Sequence, residues 1–197
     1  MEKLELIKPN KNSEKNILDI VKEFEKDNSV YYWSSWLKHF LDNYDWRLEN
    51  IQNNENKDTV AEWIVPAFQY ILIRESENKA IWFINTRLEL SEWLLQHWWH
   101  IWYSIRPSER RKHYATAQLF AVLKLYKDLW IDRVLVTCDK DNIWSAKTIQ
   151  KCGWILENEI IDSTDWKLIQ RYWIDIDNWI KLWIKFFEDN WLNIEIL

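Results

Sequence analysis

One glycine, Gly153, has to serve a chain of 197 residues. Glycine is the residue that reaches positive φ without steric cost, so turns and helix C-termini depend on it. Average usage near 7% predicts roughly 14 glycines in a chain of this length. The same chain carries 17 tryptophans, where a few are usual. The deficit of about 13 and the excess of about 14 nearly cancel.

The tryptophans also stand where turns want glycine. Trp130, in Lys127-Asp128-Leu129-Trp130-Ile131-Asp132, falls between an amphipathic helix and an apolar strand, at a C-terminal cap position. Trp166, in Ser163-Thr164-Asp165-Trp166-Lys167, occupies a hairpin context that asks for Asp-Gly. Trp98-Trp99 precede a strand, and Trp33-Ser34-Ser35-Trp36 reads as a flexible loop. Some bacteria read the UGA codon as glycine. Such a gene, translated with a table in which UGA means tryptophan, gives this pattern, so most of these tryptophans read as glycines of the living protein. Trp173, in Arg171-Tyr172-Trp173-Ile174, reads as a genuine strand aromatic. UGG codons at Trp98, Trp99, Trp102 and Trp130 would refute the idea. The rival takes the rings literally, as an aromatic surface that stacks a ligand or touches a membrane interface.

The length suits one ordinary domain with its own core. With 26 basic and 31 acidic residues the net charge is −5, which advertises no nucleic-acid-binding surface. Two cysteines, Cys138 and Cys152, are too few for a disulfide framework or a cysteine-rich zinc site. His97 and His100 lack a third ligand at suitable spacing, so no metal site is expected. The first residues contain no apolar stretch of signal-peptide length, and no window approaches a membrane span. A cytoplasmic globular protein is the expectation.

Periodicity predicts a strand over Leu4–Ile7, stopped by Pro9, and a helix over Asn12–Asp27 with Ile17, Ile20, Val21 and Phe24 on one face. A second helix is predicted over Asp45–Asn56. Strands Phe68–Arg74 and Ala80–Thr86 flank the turn-rich Glu75-Ser76-Glu77-Asn78-Lys79. A strand His100–Ile105 ends at Arg106-Pro107. The helix after it carries Ala115, Leu119, Val122 and Tyr126 on one stripe. The apolar run within Ile131–Thr137 marks a strand buried on both faces. A helix over Asn142–Cys152 and strands near Ile155–Ile161 and Leu168–Ile176 complete an α/β (α+β) pattern, a mixed sheet with helices on both faces. Residues 1–176 read as one domain. Residues 177–197, with Ile180, Trp183, Ile184 and Phe187 at helical spacing, read as a C-terminal helical appendage.

The segment from His100 to Thr116 carries the chemistry. A strand ends, a basic loop follows, and a helix begins near Tyr114. The N–H groups at that helix start, with Arg110, Arg111 and Lys112 beside them, form a natural anion site. The alternative is a basic loop making solvent-exposed ion pairs with Glu109.

This segment resembles motif A of the GNAT acetyltransferase superfamily, whose pyrophosphate loop follows Arg/Gln-x-x-Gly-x-Gly/Ala. Arg110 fills the first position and Ala115 the last, while His113 stands where the family has glycine. Asp141-Asn142-Ile143-Trp144-Ser145-Ala146-Lys147-Thr148-Ile149, followed by Gly153-Trp154, resembles motif B. With glycine at Trp98, Trp99, Trp102, Trp144 and Trp154 the match improves. The chain is then similar to a bacterial subgroup of acetyltransferases from about Phe68 through Ile176, and more weakly from residue 31 onward.

The resemblance implies a mostly antiparallel GNAT fold with a splayed central pair of parallel strands, His100–Ile105 and Ile131–Thr137. The pantetheine arm of acetyl-CoA would lie in their gap on Ser104 and Ile105. The pyrophosphate would sit on the N–H groups of Arg111, Lys112, His113, Tyr114, Ala115 and Thr116, with Asn142 and Ser145 flanking the co-substrate. His100 stands where many members carry a glutamate base, and a neutral imidazole can take a proton from an amine. The usual tyrosine acid, seven residues after the asparagine, is replaced by Ile149, so Tyr103 and Tyr172 are the alternative donors. The implied reaction moves the acetyl group to a primary amine of a small molecule or peptide. A GNAT-fold module that binds or senses acyl-CoA without turnover is the rival. The acceptor and the oligomeric state are not legible here.

Overall fold

The computed structural model describes residues 2–27, 35–62, 64–97, 99–162, 165–176, 186, 188, 189 and 192–196. Its contacts divide the chain into two compact units. One comprises residues 1–85, 103–114 and 193–197, and the other residues 86–102 and 115–192.

In the first unit, strand β1 (Glu2–Ile7) alternates as expected, with Leu4 and Leu6 buried. It pairs antiparallel with β2 (Ala67–Arg74), Leu4 lying opposite Arg74 and Ile7 opposite Ile71. From Tyr70 to Arg74 every residue of β2 is buried, the mark of a strand covered on both faces. A 3-10 turn, Glu75–Glu77, and Asn78 lead into β3 (Lys79–Arg87). Asn78 has φ 46, a left-handed conformation that asparagine tolerates better than most residues, so this turn needs no glycine. Helix α1 (Glu14–Lys26) buries Ile17, Ile20, Val21 and Phe24, the stripe read from its spacing. Ser35 and Trp36 open helix α2 (Ser35–Asp42), which corrects the loop expected there, while Trp33 and Ser34 lie outside the described residues. Helix α3 (Tyr44–Asn53) is capped by Asn43, whose side chain accepts from the Trp46 N–H.

In the second unit, a short helix α4 (Glu92–His97) was not legible in the sequence. Helix α5 (Tyr114–Asp128) buries Leu119, Phe120, Val122, Leu123 and Tyr126. Strand β5 (Arg133–Asp139) fully buries Val134, Leu135 and Val136, as the apolar run predicts. Helix α6 (Ile143–Lys151) follows, then β6 (Ile155–Ile161) and β7 (Leu168–Asp175). β7 pairs antiparallel with both β5 and β6, with a bulge at Leu156/Asn158.

The strand order is β4-β3-β2-β1-β8 in a five-stranded sheet and β5-β7-β6 in a three-stranded one, where β4 is Ile101–Ile105 and β8 is Leu192–Ile196. The fold is therefore a mixed α/β arrangement built on antiparallel sheets. The two strands expected to part share no ladder, since β4 is an edge of the larger sheet and β5 an edge of the smaller. The stripe expected at Ile180, Trp183, Ile184 and Phe187 lies outside the described residues. Phe186 is helical and packs on Phe120 of α5, ring centroids 5.2 Å apart. The chain end differs from the helical appendage expected, because β8 joins the sheet beside β1.

Helices α5 and α6 end in the same way. Beyond α6, Gly153 donates to the Gln150 carbonyl and Trp154 to that of Ile149, with Gly153 at φ 95. Beyond α5, Trp130 donates to Lys127 and Ile131 to Tyr126, with Trp130 at φ 60. Both are Schellman caps, which place a left-handed residue just past the helix. Trp130 fills the glycine position with its ring 91% exposed. Trp166, at φ 61 and 80% exposed, likewise occupies the left-handed place in the β6–β7 turn. Trp154 behaves differently. It is buried, and its indole N–H donates to the Val134 carbonyl at 3.2 Å, so the side chain is in use.

Candidate active site

Within the second unit, His100 is 6% exposed and its hydrogen-bonding groups are engaged on both sides. Its N–H donates to the Leu135 carbonyl at 2.9 Å, and its carbonyl accepts from the Arg87 N–H and the Tyr126 hydroxyl. Its Nδ1 accepts the Leu135 N–H at 3.0 Å. A neutral imidazole has one lone pair and one N–H. With Nδ1 occupied, the proton belongs on Nε2, and no nitrogen is left to take a proton from an amine. Burial, and behind it the charge of Arg87, push the ring's pKa down to about 4. The geometry thus corrects the base role expected of His100: it is a neutral strut between the starts of β4 and β5.

Asn142 caps α6, its side chain accepting the Ser145 N–H at 3.1 Å, so local structure already accounts for that pair. Ser145 also lies beside the Cys138 thiol, which burial pushes up to about 12. Ile149 is fully buried in the core. The Tyr172 hydroxyl donates to Gln170 at 2.7 Å, and burial raises its pKa. Ala115 and Thr116 lie in the first turn of α5, where Thr116 is buried and its carbonyl faces the Cys152 thiol at 3.9 Å.

Within the first unit, Tyr103, Ser104 and Ile105 are partly buried on β4. The Ser104 hydroxyl is shielded from solvent and has no hydrogen-bond partner among the described residues, a cost that a ligand group would relieve. Arg106, which ends the strand, is buried and tied to α1 through Asp19 and Glu23, and its N–H donates to the Ile81 carbonyl at 2.8 Å. Glu23 also accepts the Ser108 N–H at 2.7 Å. The 3-10 turn Pro107–Glu109 is therefore anchored before the basic loop begins.

That loop takes an uncommon path. Arg111 and His113 both have φ 65, left-handed values that side chains with a Cβ adopt at a cost. His113 is the position where the motif has glycine. Arg111 is a second such position, which the motif comparison missed; its signal lies in the backbone. Arg111, Lys112 and His113 are exposed, and the first turn of α5 carries no acidic side chain. Arg110 pairs with Asp27 at 2.9 Å.

Glu109 is 2% exposed, so the solvent-exposed pairing expected of it is corrected. It receives Arg74 at 2.7 Å, Lys79 at 2.6 Å and Lys112 at 2.9 Å. Burial pushes its carboxyl pKa up, but hydrogen bonds from Arg74, Lys112 and Lys79 outweigh it and hold the value down to about 2. Arg74 also donates to the Tyr114 hydroxyl, which in turn donates to Glu2 at 2.6 Å. The Nε of Arg74 lies 2.8 Å from Glu2, in ion-pair rather than hydrogen-bond geometry.

A loop that turns left-handed twice on its way into a helix start is backbone geometry suited to an anionic group. Residues 13–155 match the family described as the acetyltransferase (GNAT) domain. Solved structures share the fold. The RimL ribosomal L7/L12 α-N-protein acetyltransferase in complex with coenzyme A aligns at TM-score 0.64 and 16% identity, over 88% of this chain and 94% of that one. The microcin C7 self-immunity acetyltransferase MccE, in complex with acetyl-CoA and AMP, aligns at TM-score 0.63 and 15% identity, over 86% and 91%. A chimera of Vibrio cholerae spermidine N-acetyltransferase SpeG with human SSAT aligns at TM-score 0.61 and 13% identity, over 90% and 98%. No curated protein matches the sequence. The chain belongs to the GNAT acetyltransferase family. The domain that it carries is an acetyltransferase domain.

Proposed function

We propose that the acceptor is a primary amine of a small molecule or a peptide N-terminus, and that the amine attacks the thioester directly. The supporting observation is the Arg110–Thr116 segment, whose two left-handed residues lead into a helix start free of acidic side chains. It suits the diphosphate of acetyl-CoA. Ser104 supplies an unused hydroxyl for the pantetheine arm. The amine nitrogen bonds to the thioester carbon, the carbon–sulfur bond breaks, coenzyme A leaves as thiolate, and the surplus proton goes to solvent or to that thiolate.

With the His100 lone pair taken and Ile149 in the core, transfer rests on alignment of the reactants and on amine arriving neutral. The acidic net charge favours a cationic acceptor. Thiol release from acetyl-CoA, measured against polyamines, lysine and peptide N-termini, tests the reading. Amine-dependent release is expected, with kcat/KM rising as pH approaches the pKa of the amine. Tight acetyl-CoA binding with no release on any amine would favour a sensing module. Scattered exposure of Trp130, Trp144 and Trp166 around turns and a helix start weighs against a ring-lined docking surface.

We further infer that Trp130 and Trp166 stand at glycine positions of the native protein. The support is their φ and exposure, and codon identity in the gene is the test.

A further inference from the structure

A loop that holds two left-handed side-chain-bearing residues within three positions needs its ends pinned, because strained backbone persists only where its surroundings over-determine it. Here both ends are pinned through one residue, Glu109. Glu109 closes the 3-10 turn through its N–H to the Arg106 carbonyl at 2.9 Å. Its side chain then reaches forward to Lys112, which lies between the two left-handed residues. Through Arg74 it also reaches Tyr114, the first residue of α5. The supports come from strands, Arg74 from the end of β2 and Lys79 from the start of β3.

We propose that Glu109 is a positioning residue for acetyl-CoA: its buried carboxylate ties Lys112 and Tyr114 to the β2–β3 strands and holds the Arg110–Tyr114 main chain in its phosphate-gripping arrangement before the co-substrate arrives. The inference rests on acetyl-CoA binding at this loop. Three carboxylates, Glu2, Glu77 and Glu109, surround the three cations Arg74, Lys79 and Lys112. The cluster is balanced, so its cations are already matched. Grip on the diphosphate therefore falls to main-chain N–H groups, whose aim depends on loop shape. Preorganisation of that kind acts on affinity for the group that is gripped, and leaves the chemical step alone.

Glu109→Gln keeps the shape and removes the charge. The expected result is a KM for acetyl-CoA raised about tenfold with kcat within about twofold of the parent. Turnover of acetyl-pantetheine, which lacks the diphosphate, stays at the parent value. An unchanged KM for acetyl-CoA, or equal losses on both donors, overturns the proposal. A parent protein that fails to bind acetyl-CoA overturns the binding site itself, which is a separate failure. Should Glu109→Gln not fold, Tyr114→Phe cuts the Arg74 link from the helix side and keeps the ring. It is expected to raise the acetyl-CoA KM alone, and a loss shared by both donors counts against the proposal.

Discussion

At Trp130 and Gly153 the backbone makes the same turn, but only one of the two residues suits it. A left-handed residue with a Cβ carries about 1–2 kcal/mol of strain that glycine avoids. Trp130→Gly, which uncovers nothing because the ring is exposed, is expected to stabilise by about 1 kcal/mol and raise Tm by about 2–4 °C, readable by calorimetry. Trp154→Gly empties a buried site and is expected to destabilise by about 3–5 kcal/mol. His100 makes its own prediction. The folded ring stays neutral down to about pH 4, whereas an unfolded one takes its proton near 6.5. Between those values the unfolded chain binds more protons, so this contribution to stability is complete above pH 6.5 and is lost as pH falls toward 4. Up to about 3 kcal/mol is at stake. In His100→Asn, urea midpoints at pH 7 and pH 5 should differ less than in the parent. A steeper acid loss in the variant would refute the neutral strut.

The basic loop shows how local signals and distant partners share control of one element. Its existence, the strand before it and the helix after it were legible from Arg106-Pro107, the charge run and the apolar stripe of α5. Its interior was not. Glu109 beside Arg110 and Lys112 looks like a surface ion pair, and the partners that join it from a distance are Arg74, 35 residues away, and Lys79, 30 residues away. Likewise nothing near His100 foretells that Leu135 will occupy its lone pair. The missed helices have simpler causes. α4 is a single short segment of six residues, and α2 begins within a tryptophan-serine stretch that reads as loop. For His113→Gly, relief of left-handed strain is expected to raise stability by about 1 kcal/mol. The acetyl-CoA KM should not climb, because Glu109 and not the His113 side chain holds the loop. A large KM increase would give His113 a direct hold on phosphate.

At the scale of the molecule, the alternating core strands and amphipathic helices came directly from periodicity, and the order of elements placed the family motifs. The chain end did not follow suit. Its stretch Leu192-Asn193-Ile194-Glu195-Ile196 alternates as a strand should, but the helical stripe before it dominated the reading. Because β8 lies beside β1 at one side of the five-stranded sheet, removing residues 191–197 is expected to bare the β1 edge. A lower urea midpoint and faster hydrogen exchange at Leu4 and Leu6 would register it. No helix among the described residues is long and apolar enough to cross a membrane.

The twin terminations of α5 and α6 bear on more than stability. The smallest residue and the largest occupy equivalent geometric slots, so the architecture tolerates either reading of the gene, and folding alone is a poor witness to how the message was decoded. Intact-mass measurement of the polypeptide purified from its own cells would weigh the translation directly, tip by tip.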